Sequence, residues 1–92
     1  MNFDQQVAAA GFPEDVQVTR EDRLDGLLFR ALQGEPGRRQ RGAELLLTPE
    51  AVRLYGEGPA TAMVLTRLLA EVDAGLPVAQ NGLFERIVFV GD

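Results

Sequence analysis

Ninety-two residues suffice for one domain with a single modest core. The chain has no cysteine, histidine or lysine, and all nine of its basic residues are arginine. This excludes disulfides, thiolate and imidazole chemistry, Cys/His metal sites and Schiff bases, and a net charge of −5 argues against general affinity for nucleic acid or anionic lipid.

Residues 2–10 read as a short helix with Asn2 as N-cap, Phe3, Val7 and Ala10 on one side, and Gly11 and Pro13 at its end. Residues 14–18 read as a brief strand through the alternation of Val16 and Val18. Thr19 is then a fair N-cap, with Glu21 and Asp22 at the positive end of a helix dipole. Leu24, Leu27, Leu28, Ala31 and Leu32 follow at helical spacing, so an amphipathic helix is expected up to Gly34. Gly26 and Phe29 break that pattern. They suggest that something packs on the helix back, either the N-terminal helix or a second chain.

Residues 34–42, GEPGRRQRG, form a loop with strong turn chemistry. Residues 43–47 and 51–55 read as a hairpin around the turn Thr48-Pro49-Glu50. The rival is a helix starting at that same triplet, which is also a fair N-cap. From Gly58 to Gly75 runs the clearest helix, with Pro59 in its first turn and Pro77 beyond its end. Ala62, Leu65, Leu68, Leu69 and Val72 make its apolar face, and Met63 lies on its back. Residues 83–90, LFERIVFV, make the best strand, apolar on both faces.

The expected fold class is α+β, a single domain over residues 1–92. An extra short N-terminal helix precedes the order β-α-β-β-α-β. That order is the ferredoxin-like split βαβ arrangement, a four-stranded antiparallel sheet with two helices on one face. The expected core is Leu24, Leu28, Leu45, Val52, Leu54, Leu65, Leu69, Val72 and Ile87. In the usual strand order the last strand lies at the sheet edge, where unpaired backbone groups invite a partner.

No spacing among Asp22, Asp25, Glu57, Glu71, Asp73 and Glu85 makes a catalytic pair, so no catalytic residue, metal or cofactor is expected; a small enzyme using carboxylates or Tyr55 is the least favoured alternative. The only basic cluster, Arg38, Arg39 and Arg41, is either a solvated loop or a clamp for a phosphate or carboxylate. Arg53 and Tyr55, with Arg86, would lie on the open sheet face, where arginine and aromatic side chains can bind nucleic acid or a phosphate ligand. The junction 55–59 leads into a helix N-terminus, but Glu57 and Pro59 disfavour an anion there. The leading expectation is a non-catalytic interaction or regulatory protein acting as a homodimer. Phe84, Val88 and Val90 of the last strand would form the contact, with Met63 and Phe29 as apolar spots on the helix backs. Arginine without lysine, beside many Ala, Gly and Leu residues, suggests a GC-rich bacterial source. The N-terminal stretch has no basic run and so does not read as a secretory signal. No apolar run approaches the roughly 20 residues of a membrane span. The expected location is therefore the cytoplasm.

Overall fold

The computed structural model describes residues 2–34, 40–78 and 84–89. Helix α1 (Phe3–Ala10) is opened by a capping box. The Asn2 side chain accepts from the Gln5 backbone N–H at 2.8 Å, and the Gln5 side chain accepts from the Asn2 N–H at 3.0 Å. Gly11 ends the helix, as its position after the apolar run implies.

Strands β1 (Val16–Arg23) and β2 (Gly26–Gln33) then form an antiparallel hairpin with Leu24 and Asp25 at its tip. This replaces the helix expected over residues 19–34. The backbone at Gly26 decides the matter. Its φ is +142°, and a Cβ there would lie 2.2 Å from the Leu47 carbonyl oxygen. A side chain would both strain that backbone and prevent β2 from lying against the end of the next strand. The pattern is also better satisfied at period two. Phe29, out of place on a helix, joins Leu27 and Ala31 on one sheet face, while Leu28, Arg30 and Leu32 take the other.

Strand β3 (Arg41–Leu47) pairs antiparallel with β2 and parallel with β4 (Glu85–Phe89), giving the order β1-β2-β3-β4 among the described residues. The protein is thus α+β, but its elements run α-β-β-β-α-α-β, not in the ferredoxin-like order. The last strand does lie at an edge. Its parallel pairing follows from its connection, because the chain between β3 and β4 passes through two helices and returns to the same end of the sheet.

The first of these, α2 (Pro49–Tyr55), stands where a hairpin strand was the preferred expectation. Thr48 caps it, its hydroxyl accepting from the Ala51 N–H at 3.4 Å, and Pro49 fills the first turn, where its missing N–H costs nothing. The short space before Gly58 still admits this helix, because α2 and the next helix share a single joint residue. That joint is Gly56, at φ +86°, whose N–H donates to Val52 O and whose carbonyl accepts from Ala60 N–H. Helix α3 (Glu57–Ala74) then runs to Gly75.

The core lies between the helices and one face of the sheet. Phe29, Leu45 and Ile87 sit opposite one another across β2, β3 and β4. Leu47, Ala31, Ala51, Ala60, Val64 and Leu68 close around the buried pair Phe29 and Leu45. Phe3 of α1 packs against Phe29 with ring centroids 5.8 Å apart. Fully burying a side chain such as Phe29 stabilises by about 1.5–3 kcal/mol. Small residues on α3 let that helix approach the sheet closely, so its buried face is Ala60, Thr61, Val64, Leu65 and Leu68. The expected face was displaced from this. Ala62 is exposed, and Leu69 and Val72 are half-buried. Of the other expected core residues, Leu24 and Leu54 are exposed, Val52 is half-buried, and Leu28 is buried on the sheet face opposite the helices.

Candidate interaction surface

Three groups of side chains stand out, and the sheet face away from the helices holds the first. Arg30 and Glu44 lie opposite each other on β2 and β3. Arg30 Nε donates to Glu44 Oε2 at 2.8 Å, and Arg30 Nη2 reaches the same oxygen. The guanidinium also lies 5.6 Å from the centroid of the Phe84 ring. Phe84 covers Gly42, where an added Cβ would come within 2.7 Å of its ring. Leu28, Glu44 and Leu46 on this face are all buried. The centre of this face is therefore packed, not open as the strand alternation suggested.

The second group is a shallow cleft of about 230 Å³ between α1 and α3, lined by Gln6, Ala9, Ala10, Ala62, Leu65 and Thr66. Here α1 packs along one side of α3, and the Gln6 amide donates to Gly58 O at 3.3 Å.

The third is a larger cleft of about 430 Å³ at the tip of the β1–β2 hairpin, beside α2. Leu24, Leu27, Leu47, Pro49 and Val52 make it largely apolar, and Arg23, Arg53 and Glu57 add charge. Leu24 is wholly exposed at the hairpin tip, and Leu54, the residue after Arg53, is 66% exposed. The charges around the cleft are paired loosely at the surface. Arg20 bonds Glu57 at 2.9 Å and lies 3.7 Å from Asp22, Arg23 meets Glu21 at 3.3 Å, and Arg53 meets Glu50 at 3.6 Å. Exposed pairs of this kind contribute little to stability, so their charges remain available to a partner. An apolar cleft of this volume with a few charged groups at its edge matches the usual form of a binding site.

The site residues expected from sequence are dispersed by the fold. Arg53 and Tyr55 sit on α2, not on a strand, so they do not form a sheet-face cluster with Arg86, whose backbone pairs opposite Glu44 on β4. Tyr55 is half-buried against the core. Arg41 does not stand free in a loop. Its Nη1 donates to the Leu76 carbonyl at 3.0 Å, and its backbone bridges to Val78, so it ties the start of β3 to the segment after α3. Arg38, Arg39 and Val90 lie outside the described residues.

Among the expected contact residues, Phe29 is fully buried at the centre of the core and presents no surface. The reason is the strand, which turns Phe29 inward where a helix would have turned it out. Met63 is 39% exposed on α3, Phe84 is half-buried, and Val88 pairs opposite Leu46 at the sheet edge. The hairpin-tip cleft was missed altogether. Its available signal was Asp25-Gly26, a common turn dipeptide, standing between a stretch rich in β-formers and charges and a continuous apolar run.

Among the described residues no group of three or more acidic side chains is placed to hold a metal ion, and no helix is long and apolar enough to cross a membrane. Comparison with protein-family models, with curated proteins and with solved structures finds no match to this chain.

Proposed function

We propose that this is a non-catalytic bacterial interaction protein of the cytoplasm that acts as a homodimer. The observation that carries this reading is Leu24, a large apolar side chain wholly exposed at a hairpin tip beside an apolar cleft. Leu24 extends the apolar lining of the cleft onto the surface, and contiguous apolar surface of that kind is what interaction sites expose. The edge strands support the same reading. Edge strand β1 carries Arg20, Glu21, Asp22 and Arg23, charges that deter strand pairing, whereas edge strand β4 reads Glu-Arg-Ile-Val-Phe. The contact expected from Phe84, Val88, Val90 and Met63 is thus the other place where two copies would meet. The absence of histidine, cysteine and lysine from the sequence favours binding over catalysis. Size-exclusion chromatography with light scattering tests the reading. A dimer in the micromolar range is expected, and a strict monomer at high micromolar concentration counts against it.

A further inference from the structure

Helix α1 is held by few contacts, and its link to β1 is short and open to water. Its eight residues are too few for a helix to be stable alone, so α1 depends on what it packs against. Yet none of its residues is fully buried. The Phe3 ring meets Phe29 with centroids 5.8 Å apart, and the Gln6 amide donates to Gly58 O at 3.3 Å. That is the one hydrogen bond from α1 to another element among the described residues. The cleft of about 230 Å³ beside Ala9 and Thr66 leaves space between α1 and α3. The link runs from Gly11 to Asp15, and all of it except Phe12 is exposed. At Gly11, an added Cβ would meet nothing within 4 Å. Asp15 accepts from Gln33 Nε2 at 2.8 Å, which fixes the far end of the link on the sheet. Pro13 favours extended backbone at Phe12, and an extended link of this length reaches roughly 17 Å.

We infer that α1 is an exchangeable arm. In a two-fold dimer each copy lays its α1 against α3 and Phe29 of the other. The packing itself identifies the occupant, because this surface is filled here by the same helix. Every contact α1 makes within one chain is remade between chains, so only the conformation of the link changes. An unrelated helix would leave the displaced α1 in water. Reciprocal exchange leaves neither α1 nor the surface above Phe29 and Leu65 uncovered, and those two residues are 0% and 2% exposed. Each core is then completed by Phe3 of the other copy. This inference rests on the homodimer reading above and makes α1, not the hairpin tip or strand β4, the element that joins the copies.

The chain has no cysteine, so introduced thiols report without background. Ala9→Cys and Thr66→Cys, both exposed and both lining the cleft between α1 and α3, are placed in separate chains. The two proteins are unfolded in urea, refolded together and treated with a short bismaleimide. A covalent pair is expected in up to about half of the chains, the statistical share of mixed dimers, and none when either protein is refolded alone. Inserting Gly-Ser-Gly after Gly11 is expected to raise the dimer Kd about tenfold in sedimentation velocity, because a longer link lets each helix return to its own copy. A wild-type dimer whose mixed variants give no covalent pair overturns the exchange and leaves the homodimer reading standing. A dimer Kd unchanged by the insertion also overturns the exchange. A wild type that stays monomeric at high micromolar concentration overturns both readings.

Discussion

Arg30 and Glu44 stand opposite each other across β2 and β3, with the Glu44 side chain only 8% exposed and the Arg30 side chain 32% exposed. The pair lies on the sheet face away from the helices, with Leu28 and Leu46 opposite each other two positions along the two strands. Placing a carboxylate among buried leucines is costly unless charge and hydrogen bonds offset its lost hydration. Arg30→Ala is expected to lower the unfolding free energy by about 1.5–3 kcal/mol, the range for hydrogen bonds to charged groups. Urea denaturation measures this. A loss below about 0.5 kcal/mol would show that the pair behaves as an ordinary surface contact.

Gly42 and Phe84 form a second dependent pair on the same face. A methyl group at position 42 would stand 2.7 Å from the Phe84 ring and 2.8 Å from the Ala31 carbonyl. Gly42→Ala is expected to cost about 1–3 kcal/mol by overpacking. Combining it with Phe84→Ala should cost less than the two changes added separately, because the ring that clashes is gone. A thermodynamic cycle over the four proteins checks this, and strict additivity would show that Phe84 does not cover Gly42.

The buried face of α3 is tested by neighbouring leucines. Leu68 is fully buried, whereas Leu69 is half-buried. Leu68→Ala should cost about 2–5 kcal/mol, and Leu69→Ala clearly less. Equal losses, or the reverse order, would mean that the helix is rotated from the orientation described.

Arg41 provides a test of the segment after α3. Its bond to the Leu76 carbonyl, with Gly42 N–H donating to Pro77 O at 3.0 Å, holds that segment against the start of β3. Arg41→Gln should cost about 1 kcal/mol. Amide exchange at Gly42 should accelerate in the same variant if the two bonds act together. Unchanged stability and exchange would place Arg41 among the solvated surface charges.

The parts legible in the sequence are those whose signals are local. Helix α1 follows from Asn2, Gln5 and Gly11, which meet within a few residues. Helix α3 follows from Pro59 and Gly75, although its buried face does not. Leu69 outweighs Ala60 on any apolar scale, yet the sheet accepts the smaller side chain at close range. Strand β2 was misread because Leu27, Leu28, Phe29, Ala31 and Leu32 fit both a helical stripe and a strand buried on two faces. The choice depended on the distant Leu47, whose carbonyl leaves room only for a glycine at position 26. Helix α2 is visible as the rival beginning at Thr48, because Thr48-Pro49-Glu50 serves equally as a hairpin turn and as a helix start. The hairpin-tip cleft was not legible because it needs β1, β2 and α2 to be placed correctly together.

The parallel pairing of β3 with β4 carries a kinetic consequence. The hairpin β1–β2 closes over a two-residue tip, and β3 adds to it antiparallel, but Ala43 meets Glu85 and Leu47 meets Phe89 only after the intervening helices are placed. Closing a loop of roughly forty residues costs more chain entropy than closing a hairpin, and such distant pairings form slowly. Strand β4 is therefore expected to dock last during folding and to detach first during native-state fluctuations. The three-stranded meander would serve as the template, and the rate at which β4 arrives would set how long the free edge of β3 stays open to intermolecular misassembly.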